Sequence, residues 1–184
     1  KVFKTTDGGT TWNSVLTNVD AFFRCIVLTD SLTAFVGNFG YYAGSSITDS
    51  NAVYMTTDGG ATWSPAPIPA PTRIGICGLS KYDAQHIYGV GRIEGPASFI
   101  RTSDGGATWS YTNMASHCGF LVDCYFPALD TGFVIGGTDD SLAASVPIIL
   151  RTYDGGMTWD TVHIGPQTPQ TWCWKIDFPS KQTG

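Results

Sequence analysis

Charge is scarce in this 184-residue chain, and one kind is almost missing: Glu94 is the sole glutamate. Charged residues make up 14% of the sequence, with 10 Lys+Arg against 15 Asp+Glu and a formal net charge of −5. No run of basic residues occurs, which disfavours a nucleic-acid or anionic-membrane footprint. No apolar run approaches the roughly 18–20 residues a membrane-spanning helix needs. The three histidines, His86, His117 and His163, lie far apart, and only His117-Cys118 makes a His–Cys neighbour pair. No His-Glu-x-x-His, Gly-rich phosphate loop or nucleophile elbow is present. The five cysteines, Cys25, Cys77, Cys118, Cys124 and Cys173, contain no C-x₂₋₄-C pair, so zinc-site spacing is absent. No metal site and no cofactor is expected. What remains is a globular chain, 42% hydrophobic, long enough for one compact domain.

What is there is a repeat. Thr-x-Asp-Gly-Gly-x-Thr-Trp occurs four times, with aspartates Asp7, Asp58, Asp104 and Asp154 and tryptophans Trp12, Trp63, Trp109 and Trp159. The aspartates are 51, 46 and 50 residues apart, and a fixed period in that range marks one supersecondary unit repeated along the chain. Each copy follows a β-branched or apolar run such as Val2-Phe3-Lys4-Thr5 or Ile148-Ile149-Leu150-Arg151. Such runs read as strands, and Asp-Gly-Gly between them reads as a tight turn. The glycines supply positive φ. The carboxylate accepts from turn amides two or three residues on, and the tryptophan covers the turn. One carboxylate per turn falls far short of the roughly six to eight oxygens of a calcium site, so the four aspartates read as structural.

These residues carry a resemblance. Ser/Thr-x-Asp-x-Gly-x-Thr-Trp is the Asp box, or BNR repeat, and all four copies match it. The motif resembles the hairpin between the third and fourth strands of propeller blades in sialidases, sortilin-type receptors, xyloglucan-cleaving glycosidases and photosystem II assembly-factor-like propellers. Those families share the turn and not the chemistry. Segments between the boxes repeat as well: Phe126-Pro127-Ala128-Leu129-Asp130-Thr131-Gly132 resembles Phe178-Pro179-Ser180-Lys181-Gln182-Thr183-Gly184. The unit is strand, turn, strand, loop, strand, Asp box, strand, which makes a four-stranded antiparallel blade.

The expected fold is therefore all-β: a β-propeller arc of about three and a half blades with Asp-box hairpins. Residues 1–19 end one blade, 20–68, 72–114 and 118–164 form whole blades, and 171–184 supply the inner strand of the next. The inner-strand pattern most resembles bacterial homologues of the photosystem II assembly factor. The chain looks like an excerpt of a longer propeller, and an extracytoplasmic location, periplasmic or secreted, is expected.

Propellers bind ligands at a mouth of the central channel, which nominates inner-strand and loop residues. Arg24, Arg92, Trp172, Trp174 and Lys175 are ligand-binding candidates, with Asp177 beside them. Aromatic faces stack on apolar surfaces and arginine binds carboxylate bidentately. The alternative is that these are ordinary loop charges and core tryptophans. Four cysteines, Cys25, Cys77, Cys124 and Cys173, fall one per repeat on inner strands. They read as small buried hydrophobes, with a ring of sulfurs for a soft metal or disulfides as the other reading.

A glycosidase needs two carboxylates roughly 5–9.5 Å apart, and Asp123, Asp139 and Asp140 are the candidates. Arg92-Ile93-Glu94-Gly95-Pro96 has a weak likeness to the Arg-Ile-Pro motif of sialidases, but a single glutamate counts against that activity. The leading expectation is a non-enzymatic module that binds a protein or glycan at the channel mouth. The rivals are an Asp-box glycoside hydrolase and an assembly unit with no ligand. An open arc leaves two end faces uncovered, so a homodimer closing the ring is a further expectation.

Overall fold

The computed structural model describes all residues except 41–43, 45, 72, 92–95, 167, 169 and 181–182. Among the described residues it holds strands and no helix. The strands are β1 (Val2–Lys4), β2 (Asn13–Leu16), β3 (Phe23–Leu28), β4 (Ala34–Asn38), β5 (Val53–Thr56), β6 (Ser64–Pro65), β7 (Gly78–Lys81), β8 (Ile87–Gly91), β9 (Ser98–Thr102), β10 (Ser110–Asn113), β11 (Phe120–Tyr125), β12 (Gly132–Gly137), β13 (Pro147–Thr152) and β14 (Asp160–Ile164). They form one two-stranded sheet, β1-β2, and three four-stranded sheets in sequential order, β3 to β6, β7 to β10 and β11 to β14. Every pairing is antiparallel. The four sheets are here called blades I to IV. Asp boxes join β1 to β2, β5 to β6, β9 to β10 and β13 to β14.

Each box is closed by its own side chains. Thr5 Oγ1 donates to Asp7 Oδ1 and accepts from the Gly9 amide, both at 2.8 Å. Asp7 Oδ1 accepts from the Thr11 amide at 2.9 Å, and Oδ2 accepts from the Thr11 hydroxyl at 2.6 Å. The other three boxes repeat this network. The amide lies four residues on; an amide three residues on is reached only at Met157. Both glycines of every box have positive φ, such as +69° at Gly8 and +95° at Gly9.

The core lies between blades. One cluster joins blade II to blade III through Phe35, Val53, Ile76, Ile87, Ile100 and Trp109. A second joins blade III to blade IV through Tyr88, Phe99, Leu121, Phe126, Leu150 and Trp159. Tyr88 and Phe126 stack across the second junction with centroids 3.6 Å apart. Two box tryptophans reach into the blade before their own: Trp109 meets Phe35 edge-on at 5.9 Å, and Trp159 meets Phe99 at 5.2 Å.

Segment 171–178, expected as an inner strand, has no strand assignment. A strand is defined by its ladder, and this segment makes separate bonds instead. The Thr171 amide donates to the Ser145 carbonyl, the Cys173 amide to the Gly136 carbonyl at 3.2 Å, and Tyr125 Oη to the Phe178 carbonyl. Phe178 stacks on Tyr125 and Phe133. The segment therefore lies along blade IV with no sheet of its own.

Candidate functional site

Inner strands β3, β7 and β11 are neighbours, because each opens its blade and the blades pack in sequence. Where they converge with segment 171–178 they enclose a cavity of about 460 Å³, lined by Arg24, Cys25, Cys77, Asp123, Trp174 and Lys175 among others. Two of the three inner strands are irregular here. The β3–β4 register shifts between Phe23 and Cys25, and the β11–β12 register between Leu121 and Asp123. The extra residues are Arg24 and Val122. A bulge bends its strand and re-aims the side chains around it; here it brings Arg24 to the cavity.

The Arg24 guanidinium lies between two aromatic rings, 5.3 Å from the Trp174 centroid and 5.5 Å from the Phe39 centroid. Contacts of this kind are worth roughly 0.5–2 kcal/mol each. Trp174 is 54% exposed, so about half of its side chain is open to solvent. Trp172 has a different place: it packs edge-on against Phe120 at 6.0 Å and against Trp174 at 5.8 Å. The two tryptophans therefore divide, one supporting and one presented.

Asp123 is 4% exposed. Its Oδ2 accepts from Lys175 Nζ at 2.8 Å and from the Ile176 amide at 3.1 Å. Lys175 remains largely in solvent, and its pKa is raised by the bond to Asp123. Gly78 explains how β11 comes so near: a Cβ there would stand 2.7 Å from both Asp123 Cα and Oδ1. Asp123 thus ties segment 171–178 to the cavity wall.

A BNR/Asp-box repeat model matches residues 54–65, the second box and the strand leading into it. The fold is similar to YCF48 bound to D1 peptide, at TM-score 0.55 and 20% identity over 78% of this chain and 40% of that one. YCF48 from Cyanidioschyzon merolae matches at TM-score 0.56 and 16% identity, over 82% and 40% of the two chains. A GH74 enzyme from Niastella koreensis matches at TM-score 0.65 and 18% identity, over 86% and 26%. This chain is a partial Asp-box β-propeller. It spans less than half the length of these structures. No curated protein matches the sequence.

The remaining candidates of the propeller sort by position. Asp139 and Asp140 line a different cavity, of about 490 Å³, with Pro96, Cys118 and Gly119. Asp139 Oδ1 accepts from the Ser141 amide at 2.8 Å. Its backbone abuts Gly119, whereas Asp123 lines the cavity described above. Arg92 and Glu94 lie outside the described residues. Asp177 caps the Phe178 amide through Oδ1 at 2.9 Å.

None of the five cysteines forms a disulfide. Burial pushes the Cys25 and Cys124 thiols well up, and lifts Cys118 to about 12. Among the described residues no group of three or more His, Cys, Asp or Glu is arranged to hold a metal. Among the box aspartates, the threonine hydroxyl and amide hold Asp7, Asp58 and Asp104 down to about 2 and Asp154 lower still. Sequence reasoning found Arg24, Trp174, Lys175 and Asp123 separately. It missed Phe39, the aromatic on the other side of Arg24, and Gly78; no sequence signal links either to the site.

Proposed function

We propose that the protein is a non-enzymatic propeller module that binds a protein or glycan at the cavity between the inner strands. The observation that carries this reading is Arg24, stacked between Phe39 and a half-exposed Trp174 with Lys175 close by. An exposed indole offers a stacking face for a sugar ring or an apolar side chain. The adjacent cations offer donors to carboxylate or hydroxyl oxygens. Asp123 fits a positioning role, because its Oδ2 is already occupied by Lys175 and the Ile176 amide. A structural relative captured with a bound peptide supports a protein ligand over a sugar.

The test is calorimetry against panels of peptides and oligosaccharides. Saturable binding that weakens about tenfold or more in Arg24→Ala and in Trp174→Ala is expected, as for residues that anchor an interface. Absence of binding across both panels would overturn the reading. The rival is an Asp-box glycoside hydrolase, favoured by the likeness to GH74 enzymes. Turnover of xyloglucan or another glycan, abolished by Asp123→Asn or Asp139→Asn, would replace the binding module with that enzyme.

A further inference from the structure

The Tyr88–Arg101 pair of blade III stands where Phe35–Met55 stands in blade II, at the same points of the strand registers. Phe35 and Met55 fill the junction of blades II and III with carbon: the Phe35 ring stands 2.6 Å, and the Met55 methyl 3.7 Å, from where a Cβ on Gly106 would be. Tyr88 and Arg101 instead line a cleft of about 540 Å³ at the junction of blades III and IV, beside the two Asp boxes. Both of those blades are whole four-stranded sheets. The cleft shares no lining residue with the inner-strand cavity, and its size suits a small ligand.

Part of this polarity is structural. Arg101 Nη1 donates to the Gly155 carbonyl of blade IV at 2.6 Å, and Tyr88 Oη donates to the Leu129 carbonyl at 3.0 Å. Lys4, which like Arg101 stands three residues before its box aspartate, makes the first of these contacts with one ammonium, to the Gly59 carbonyl at 2.7 Å. The rest of the Arg101 fork is surplus to that contact. The guanidinium forms no other hydrogen bond and no ion pair among the described residues, although Asp130 and Asp154 line the same cleft. Asp154 is saturated by its own box. Asp130 is not: its Oδ1 accepts from the Thr131 hydroxyl at 2.9 Å, and its Oδ2 accepts from none of the described residues. His86 Nδ1 lies 2.8 Å from Asp83 Oδ1, and this bond holds the Asp83 carboxyl below its ordinary value. An ionised carboxylate only accepts, so Nδ1 carries the proton and Nε2 of the neutral ring is left as an acceptor.

We propose that this cleft is a second binding site, one for a neutral sugar. Its open groups are of both kinds, with donors on Arg101 and acceptors on His86 and Asp130, and they do not satisfy one another. An anion would meet Asp130, and a cation would meet Arg101. A pair of adjacent hydroxyls, each of which donates and accepts, matches all three. The diol accepts from the Arg101 fork and donates to His86 Nε2 and the Asp130 carboxylate. Leu129, 45% exposed, and Trp109 supply apolar carbon in the same cleft for the C–H face of the ring. The site is independent of what the inner-strand cavity binds.

The test is NMR during titration with the methyl glycosides of glucose, galactose, mannose, xylose and N-acetylglucosamine, with acetate and methylammonium as charged probes. Saturable shifts of the Arg101 Nε–H signal are expected with at least one glycoside and with neither ion. Arg101→Lys keeps the charge and the contact that Lys4 makes but loses the fork, so it should weaken that binding about tenfold or more. Asp130→Ala should weaken it as well. Amide dispersion matching the wild type shows that each variant folds. The glycoside shifts should persist in Arg24→Ala, which separates this site from the inner-strand cavity. No saturable shift with any glycoside overturns the proposal. So do Arg101 shifts produced by either ion, or glycoside binding that is undiminished in Arg101→Lys or lost in Arg24→Ala.

Discussion

The first and fourth Asp boxes follow the same eight-residue pattern and share the same threonine–aspartate hydrogen bonds, yet their tryptophans lie in different surroundings. Trp12 is 58% exposed and Trp159 is 8% exposed. The turns themselves are alike: the threonine hydroxyl meets the carboxylate at 2.6 Å in the first and 2.5 Å in the fourth. The difference lies one blade upstream. Trp159 meets Phe99 of blade III, whereas the first box has no described blade before it. The turn is thus a local product of its own residues, and the burial that makes it stabilising is contributed by the neighbouring blade.

Substituting the tryptophan should separate the two boxes most. Trp159→Ala is expected to cost about 3–5 kcal/mol, as other buried large-to-small changes do. Trp12→Ala should stay within about 0.5 kcal/mol, as exposed positions do. Denaturant titration of both variants measures the contrast, and equal losses would mean that the tryptophan acts on its own turn.

The second glycine of each box gives the next largest separation. Gly9 and Gly156 share φ values of +95° and +93°, so alanine at either incurs the left-handed penalty of about 1–2 kcal/mol. At Gly156 the new Cβ would also stand 2.3 Å from the Phe99 ring, while at Gly9 nothing approaches closer than 3.9 Å. Gly156→Ala should therefore lose about 1–3 kcal/mol more than Gly9→Ala, read as a lower midpoint in urea.

Arg101→Met copies the Met55 junction into the next one. Loss of a part-buried, charge-assisted bond to the Gly155 carbonyl should cost about 1.5 kcal/mol. A neutral result in thermal unfolding would show that the donor position orients blades without stabilising them.

Acid should erase the contrast. Asp7, exposed, and Asp154, partly buried, are both carboxylates held below their ordinary value of 3.8 by their threonine partners. Their folded-state values lie below the unfolded ones, so the stability they contribute is complete above about pH 4. It fades as pH falls through about 2 at Asp7 and lower at Asp154. Thr11→Val and Thr158→Val should each raise the neighbouring aspartate toward 3.8, followed by carboxyl chemical shift in NMR. A shift at one box only would show that blade contacts, and not the local hydroxyl, set the carboxylate.

Much of the fold is legible in the chain because its information is local. The Asp-Gly-Gly turn, the hydroxyls that close it and the alternating runs on either side all act within about ten residues. The blade pattern of three four-stranded sheets and one hairpin follows from reading that unit four times. Two places read less well. Strand β6 shrinks to Ser64–Pro65, since proline lacks a ladder donor, and segment 171–178 reads as a strand but finds no ladder. The site was half legible. Arg24, Asp123, Trp174 and Lys175 carry suitable chemistry, but nothing in sequence joins residues 24 and 174, and the bulge that turns Arg24 inward has no motif.

By itself the sequence determined the unit: an antiparallel hairpin with a closed, carboxylate-stapled turn, repeated at a near-constant period. Those features depend on backbone φ, short side-chain hydrogen bonds and alternation of apolar residues, all set by near neighbours in the chain. Only the tertiary structure decided which box tryptophan is buried, which cation finds a carbonyl and which aromatic lies over Arg24. Each depends on what another blade places opposite it, and packing of one face on another is a property of the pair.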